Sequence, residues 1–294
     1  MKNLSETLAG RIGLLHLLPL STAEQLSVVN SKHRHPDATS QFVSQSLRGS
    51  FPELVTHPRF DPTAWYESYL QTYLERDVRG IYDIGNLRDF RRFMALAASR
   101  TAQSFNMSLY ARDLGVSVPT IRAWTSVLES SLMVYLLPPY HHNFGKRITK
   151  SPKLYFLDVG LVVHLVGLKT RTHLLQGPMA GALFETYLLQ ETVKHFFNRG
   201  TLPYLFYWRS AAGVEIDFLI EANGILYPIE CKLTKSVKPS MASSLEHFIS
   251  ISSHKTSIGV GRLASLTPGT FSLTRSVQSV NALAYLTHLS PRQS

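Results

Sequence analysis

Residues 215–232 read Glu215-Ile216-Asp217-Phe218-Leu219-Ile220-Glu221-Ala222-Asn223-Gly224-Ile225-Leu226-Tyr227-Pro228-Ile229-Glu230-Cys231-Lys232, two strand patterns joined by a tight turn. Val214, Ile216, Phe218 and Ile220 alternate with Glu215, Asp217 and Glu221, the period-two pattern of a half-buried strand, so Asp217 is expected to point away from the apolar layer. Ala222-Asn223-Gly224 supplies a tight hairpin turn, because Asn and Gly accept the positive φ that such turns need. On the return strand Glu230 and Lys232 share one face, and Ile229 and Cys231 the other. The hairpin should bring the Glu230/Lys232 pair beside Asp217. Two carboxylates so close repel unless a cation joins them, and Mg²⁺ takes oxygen ligands while keeping waters and a phosphate oxygen. Asp217 and Glu230 are therefore candidate metal ligands, with Lys232 placed to orient a water or stabilise developing charge.

Working outward, Glu185 in Leu183-Phe184-Glu185-Thr186-Tyr187 is a fourth candidate catalytic residue, carried by a helix predicted over 182–197. Cys231 reads as a buried filler. Strands are predicted at 154–158, leading to a turn at Gly160, and at 204–208, 214–221, 225–233 and 256–260, with a helix near 241–251. That order implies a mixed α/β domain. The competing reading is an exposed hairpin of alternating charges, in which Lys232 pairs with Asp217 or Glu230 and nothing binds.

The pattern from Pro62 to about Tyr140 is helical: Trp65, Tyr69, Tyr73 and Leu74 recur at helix spacing, as do Phe90, Phe93, Met94 and Ala97. Within it, MSLYARDLGVSVPTIRAWTSVLES (107–130) carries a helix-turn-helix signature. Ala111 permits close helix contact, Gly115 suits a positive-φ turn, and Ile121 anchors the second helix. Ser117 is the expected N-cap, with Pro119 in the first turn. In a DNA-bound reading Ser117, Thr120, Arg122 and Thr125 meet groove or phosphate, supported by Lys146, Arg147 and Lys150 from a wing-like segment. The alternative is that the same helices only pack domains together.

Residues 1–50 look like a lead-in: Ser21-Thr22-Ala23-Glu24 is a capping-box sequence opening a helix, and 31–50 reads as a polar loop. His33 and His35 lack partners for a metal and are read as solvated. The 294-residue chain is 44% hydrophobic with a formal charge of +10, which fits a folded protein with an anionic partner such as nucleic acid. From Lys232 onward Lys235, Lys238, Lys255, Arg262, Arg275 and Arg292 face only Glu246. The single cysteine excludes an intrachain disulfide and suits a reducing compartment, so a cytoplasmic location is expected. No apolar run approaches a membrane span, and no signal peptide is read at the start.

Several ordered segments together resemble a family of AAA-type ATPases whose C-terminal half is a domain of unknown function. They are LAGRIGLLHLLPLS (8–21), Tyr69 to Val78, Lys150 to Leu161, Tyr207-Trp208-Arg209-Ser210, and the two halves of the 215–232 hairpin. The resemblance implies a winged-helix segment followed by a restriction-endonuclease-like domain, onto which Glu185, Asp217, Glu230 and Lys232 map. It also implies an N-terminal nucleotide-binding domain, of which Leu8-Ala9-Gly10-Arg11 looks like the last piece, with Arg11 facing nucleotide. The phosphate loop of that domain is not in this sequence, since Gly145-Lys146 is followed by Arg147. ATP is expected only in full-length members, and the chain reads as a truncated product or a fragment.

The resulting map is an ATPase remnant and linker over 1–50, a helical winged-helix-like domain over 51–170, and a restriction-endonuclease-like α/β domain over 171–294. The expected function is a DNA-associated module with a metal-dependent nuclease domain. The alternative is a noncatalytic module, binding DNA or a protein partner, on a degenerate nuclease fold.

Overall fold

A computed structural model describes residues 15–29, 36–79, 86–141, 151–254 and 256–287. Arg11, His33, His35, Lys146, Arg147 and Lys150, given roles or weighed above, lie outside the described residues. Helix α1 (Thr22–Val29) opens as its sequence predicts. The Ser21 N–H donates to Glu24 Oε2 at 2.7 Å and the Glu24 N–H donates to Ser21 Oγ at 3.3 Å, the reciprocal bonds of a capping box. The stretch expected as a loop is corrected from Ala38 onward, where helix α2 (Ala38–Arg48) forms behind an Asp37 N-cap. Its inward face holds Thr39, Gln41, Gln45 and Ser46 alongside Phe42, so the apolar period that marks a buried helix is faint in the sequence. Phe42 is fully buried, edge-on to Phe184 at 5.3 Å.

After α3 (Pro52–Thr56), helix α4 (Pro62–Thr72) runs into a π-helical turn over Tyr73–Val78, and α5 (Leu87–Ser99) follows. Phe90, Phe93, Met94 and Ala97 on α5 are completely buried, as their spacing predicts. The region expected to be helical up to Tyr140 also contains strands. These are β1 (Gln103–Ser104) and β2 (Val134–Leu137), which flank β3 (Lys153–Phe156) in an antiparallel sheet of order β1-β3-β2. Between β1 and β2 lie α6 (Met107–Leu114) and α7 (Val118–Ser130). Gly115 ends α6 at φ 71°, a left-handed cap that costs a glycine nothing, and Ser117 Oγ accepts the Thr120 N–H at the start of α7.

Gly160 was expected in a turn but lies within α8 (Val159–Leu165). Asp158 caps this helix by accepting the Leu161 N–H at 2.7 Å, and also accepts from the Ser50 N–H at 2.9 Å and the Tyr66 hydroxyl at 2.5 Å. Helix α9 (Arg171–Gln176) leads to α10 (Ala180–Phe197), which is buried along most of its length. Glu191 of α10 accepts the Thr22 N–H at 2.5 Å, and the buried Lys194 ammonium donates to Glu191 at 2.9 Å and to the Leu20 carbonyl at 3.2 Å. The early segment is thereby tied into the main core.

The second sheet comprises β4 (Leu205–Arg209), β5 (Glu215–Ala222), β6 (Ile225–Lys232), β7 (Ser257–Ile258), β8 (Gly261–Ser265), β9 (Phe271–Ser272) and β10 (Val277–Asn281). The order is β4-β5-β6-β8-β10-β9, with β7 also pairing β6; β6, β8 and β10 run parallel, while the β4-β5-β6 and β10-β9 pairings are antiparallel. Asn223 and Gly224 form the β5–β6 turn with φ 52° and 73°, as the Asn-Gly pair predicts. Helix α10 covers one face, where Phe218, Ile220 and Ile229 join the main core. Helix α11 (Ser243–Ser252) covers the other, where Ile216, Leu219, Leu226 and Leu263 form a second core. Helix α12 (Ala282–Thr287) closes the described chain. The protein is thus mixed α/β, helical in its N-terminal half and built on a mixed sheet in its C-terminal half. Among the described residues no helix is long and apolar enough to cross a membrane.

Candidate functional site

Asp217, Glu230 and Lys232 stand where β5 and β6 part. The antiparallel ladder between these strands runs from Ala222–Ile225 to Phe218–Ile229, and the next step in that register sets Asp217 opposite Glu230. On its other edge β5 has a register shift against β4 between Phe206 and Trp208. Such an irregularity breaks the two-residue alternation and re-aims a side chain. Ile216 therefore packs in the second core with Leu219, while Phe218 and Ile220 pack in the main core. The expectation that Ile216, Phe218 and Ile220 share a face is corrected accordingly. Asp217, between the two patterns, accepts the Cys231 N–H on its carboxylate at 2.7 Å.

Glu230 and Lys232 share a face of β6 as their spacing predicts, and they pair with each other, as the competing reading of the hairpin also expects. Lys232 Nζ donates to Glu230 Oε1 at 2.7 Å, and the Lys232 side chain is 41% exposed against 7% for Glu230. Glu230 Oε2 is buried with no hydrogen-bond partner, a costly state for a carboxylate oxygen. Burial first, and then the charge of Asp217, push the Glu230 carboxyl up to about 7. Burial also raises Asp217. Burial works against the Lys232 charge, but Glu230 outweighs it and holds the ammonium above its usual range. Cys231 packs against the main core, and burial pushes its thiol well above the ordinary range, so it is no thiolate nucleophile.

Glu185 does face this hairpin, but it is already engaged. Its Oε1 accepts from Lys153 Nζ at 3.0 Å and from the Tyr155 hydroxyl, both on β3. Burial and then the charge of Asp217 raise the Glu185 carboxyl to about 7, against the opposing pull of Lys153 and Tyr155. Lys153 makes a second, shorter ion pair with Glu215, whose other oxygen takes Arg209 Nε at 2.8 Å. Only 4% of the Lys153 side chain is exposed. Burial works against its charge, yet Glu185, Asp217 and Glu215 hold the ammonium above its ordinary range. Lys153, Tyr155 and Glu215 were not among the residues predicted. The available signal was the spacing of Lys153 and Tyr155, two apart on a strand and so on one face, but nothing in the sequence says which helix that face meets.

The helix-turn-helix candidates divide. Ser117 and Arg122 are exposed and Thr120 is half-buried, so these three line the outer surface at the start of α7. Thr125 is 1% exposed and donates its hydroxyl to the Ile121 carbonyl at 2.7 Å. Its expected contact with a groove or phosphate is corrected, because it faces the core.

Residues 39–172 match the family model described as Domain of unknown function (DUF8612), and residues 180–283 match Domain of unknown function (DUF4143). Uncharacterized proteins of Mycobacterium tuberculosis and Mycobacterium bovis are each 31% identical to the chain over 286 residues, covering 96% of it and 59% of the relative. The chain thus spans about three-fifths of the length of these curated relatives. No solved structure matches it. In tandem, then, the chain matches two domains of unknown function, and it has uncharacterized homologues in mycobacteria that are longer than itself.

Proposed function

We propose that this chain is a DNA-associated module whose α/β unit is a restriction-endonuclease-like domain with a metal-dependent phosphodiesterase site. The observation that carries the reading is the meeting of Asp217, Glu230 and Lys232 where β5 and β6 part, with Glu230 Oε2 buried and unpartnered. Hard oxygen donors and an orphaned buried carboxylate oxygen fit a divalent cation such as Mg²⁺, held by Asp217 and Glu230. Among the described residues no group of three or more His, Cys, Asp and Glu side chains is placed to hold an ion. Water and a phosphate oxygen would complete such a site, as is common for Mg²⁺. When bound, the ion would polarise a phosphate and favour an attacking water near neutral pH. The half-exposed Lys232 ammonium is the residue positioned to meet the phosphate's developing negative charge. Glu185, raised to about 7 chiefly by burial, is a carboxyl able to take or return a proton in the neutral range.

The winged-helix reading of α6, α7 and the β2–β3 strands supports DNA as the substrate. Ser117, Thr120 and Arg122 are offered at the start of α7, and the chain's +10 formal charge supplies the long-range attraction. On the same reading the module belongs to the C-terminal part of a longer ATPase, and nucleotide hydrolysis would be the work of that longer protein. The test is incubation of the purified chain with supercoiled and linear DNA in Mg²⁺ or Mn²⁺. Metal-dependent cleavage that disappears in Asp217→Asn and in Lys232→Ala is expected; cleavage surviving both changes removes the site.

A second reading is favoured by one observation: Glu185 is held by Lys153 and Tyr155. A carboxylate so engaged suits a noncatalytic scaffold that binds DNA or a protein partner. Salt-sensitive DNA binding without cleavage under any metal would select it.

A further inference from the structure

Arg48, the last residue of α2, is the only charged group lining a cleft of about 370 Å³ bounded by α1, α2 and α3, a volume within the usual range of ligand sites. Its Nη2 donates to the Leu54 carbonyl at 3.1 Å and to the His57 and Phe60 carbonyls at 3.4 Å. Those bonds fix the guanidinium from one side. Among the described residues no acid pairs with it, and its other two nitrogens have no acceptor. Gln41, two turns earlier on the same helix, is 7% exposed and lines the same cleft. Its side-chain amide has no hydrogen bond among the described residues, a costly state for a buried amide unless a ligand completes it. Across the cleft, the buried Gln25 of α1 spends its Nε2 on the Leu20 carbonyl at 3.0 Å and keeps its side-chain oxygen unbonded. Leu26, Leu54 and Val55 supply an apolar wall.

An unopposed guanidinium calls for an anion, and its planar fork matches a carboxylate through two parallel N–H bonds. A carboxamide offers both donors and an acceptor, the complement of a peptide group. Gln41 and Arg48 are seven residues apart on one helix, hence about 10 Å along its axis at ~1.5 Å per residue. That is the length of about three residues of extended chain. A nucleic-acid strand fits less well, because it is held by a row of cations along its backbone, and this cleft has one among uncharged amides.

We propose that the cleft between α1, α2 and α3 binds the free C-terminal end of a partner polypeptide. The terminal carboxylate sits on Arg48, the last peptide groups meet Gln41 and Gln25, and an apolar last side chain packs against Leu26, Leu54 and Val55. Capture of a chain end by its carboxylate is a known mode of peptide recognition. The site shares no residue with the 215–232 hairpin and does not depend on the reading given to it.

The test is fluorescence anisotropy of the full chain with a pool of fluorescein-labelled pentapeptides ending in leucine, isoleucine or valine, made with a free or an amidated C-terminus. The free-acid pool is expected to bind at least tenfold more tightly than the amidated one. Arg48→Met should lose that tenfold preference and Gln41→Leu should weaken the free-acid pool several-fold, with folding of each variant followed by circular dichroism. Should Arg48→Met fail to fold because α3 loses its bonds, Gln41→Leu and the acid–amide comparison on the wild type decide the matter. Equal affinity for the acid and the amide overturns the proposal, and so does unchanged affinity in Gln41→Leu. N-acetyl-leucine binding as tightly as the pentapeptides overturns it in favour of a small free acid. A ten-nucleotide DNA strand that displaces the pentapeptides at equal concentration, and fails to bind Arg48→Met, overturns it in favour of nucleic acid.

Discussion

The Asp217 carboxylate accepts the backbone N–H of Cys231 at 2.7 Å, one step beyond the last paired residues of the β5–β6 ladder, Phe218 and Ile229. A side chain here does the work of a strand–strand bond, which lets the two strands separate without stranding a buried donor.

This relationship separates the structural role of Asp217 from its proposed chemical one. Asp217→Asn keeps an acceptor for the Cys231 N–H and should unfold within about 1 kcal/mol of wild type, whereas Asp217→Ala orphans that N–H and should lose about 1–3 kcal/mol. Both should abolish metal-dependent DNA cleavage, by more than the ~10–100-fold typical of residues outside a ligand set. Urea denaturation and a plasmid-nicking assay measure the two effects independently.

Glu230 gives a pH prediction with a definite sign. Its folded carboxyl titrates at about 7, above the usual carboxylate range, so between roughly pH 4.5 and 7 the folded state holds a proton that the unfolded chain releases. Its contribution to stability is therefore present at low pH and lost as pH rises through about 7. Glu230→Gln removes that loss, and should raise the melting temperature relative to wild type at pH 8 but not at pH 4.5. An equal shift at both pH values would show that the buried Oε2 carries no such penalty.

Arg122 and Thr125 lie on the same helix but should give opposite results. Arg122 is exposed at the start of α7, and Arg122→Ala should weaken DNA binding several-fold and lower the salt dependence by about one phosphate contact. Thr125 is buried with its hydroxyl on the Ile121 carbonyl, so Thr125→Val should leave DNA affinity unchanged and alter stability by less than about 1 kcal/mol. Fluorescence anisotropy at several salt concentrations reads both.

Gly160 is required by close approach. A methyl group there would overlap the Gly49 Cα and the Tyr66 hydroxyl, and Gly49 itself sits at φ 81°. Gly160→Ala should cost about 3 kcal/mol or more, because backbone must move to make room. Thermal denaturation checks this, with Gly167→Ala, where no atom lies near the added methyl but φ is 72°, as the comparison for backbone strain alone.

Elements whose signals are local are legible in the residues themselves. The Asn223-Gly224 turn, the Ser21/Glu24 capping box, the Gly115 and Ser117 caps and the buried face of α5 all follow from φ preference, side-chain length or periodicity within a few residues. The same holds for the meeting of Glu230 and Lys232, which is fixed by their spacing on one strand. Helix α2 escaped because polar residues fill part of its buried face, and only the packing of Phe42 on Phe184 and Tyr187 reveals why it is helical. The β5 register shift escaped because it arises from pairing with β4, a distant partner, and it alone explains why Ile216 and Phe218 face different cores. Above all, it takes folding in three dimensions to let Lys153, 32 residues before Glu185 and 62 before Glu215 in the chain, neutralise both. Charges pair through space, and a sequence records the charge but not the neighbour that folding will give it.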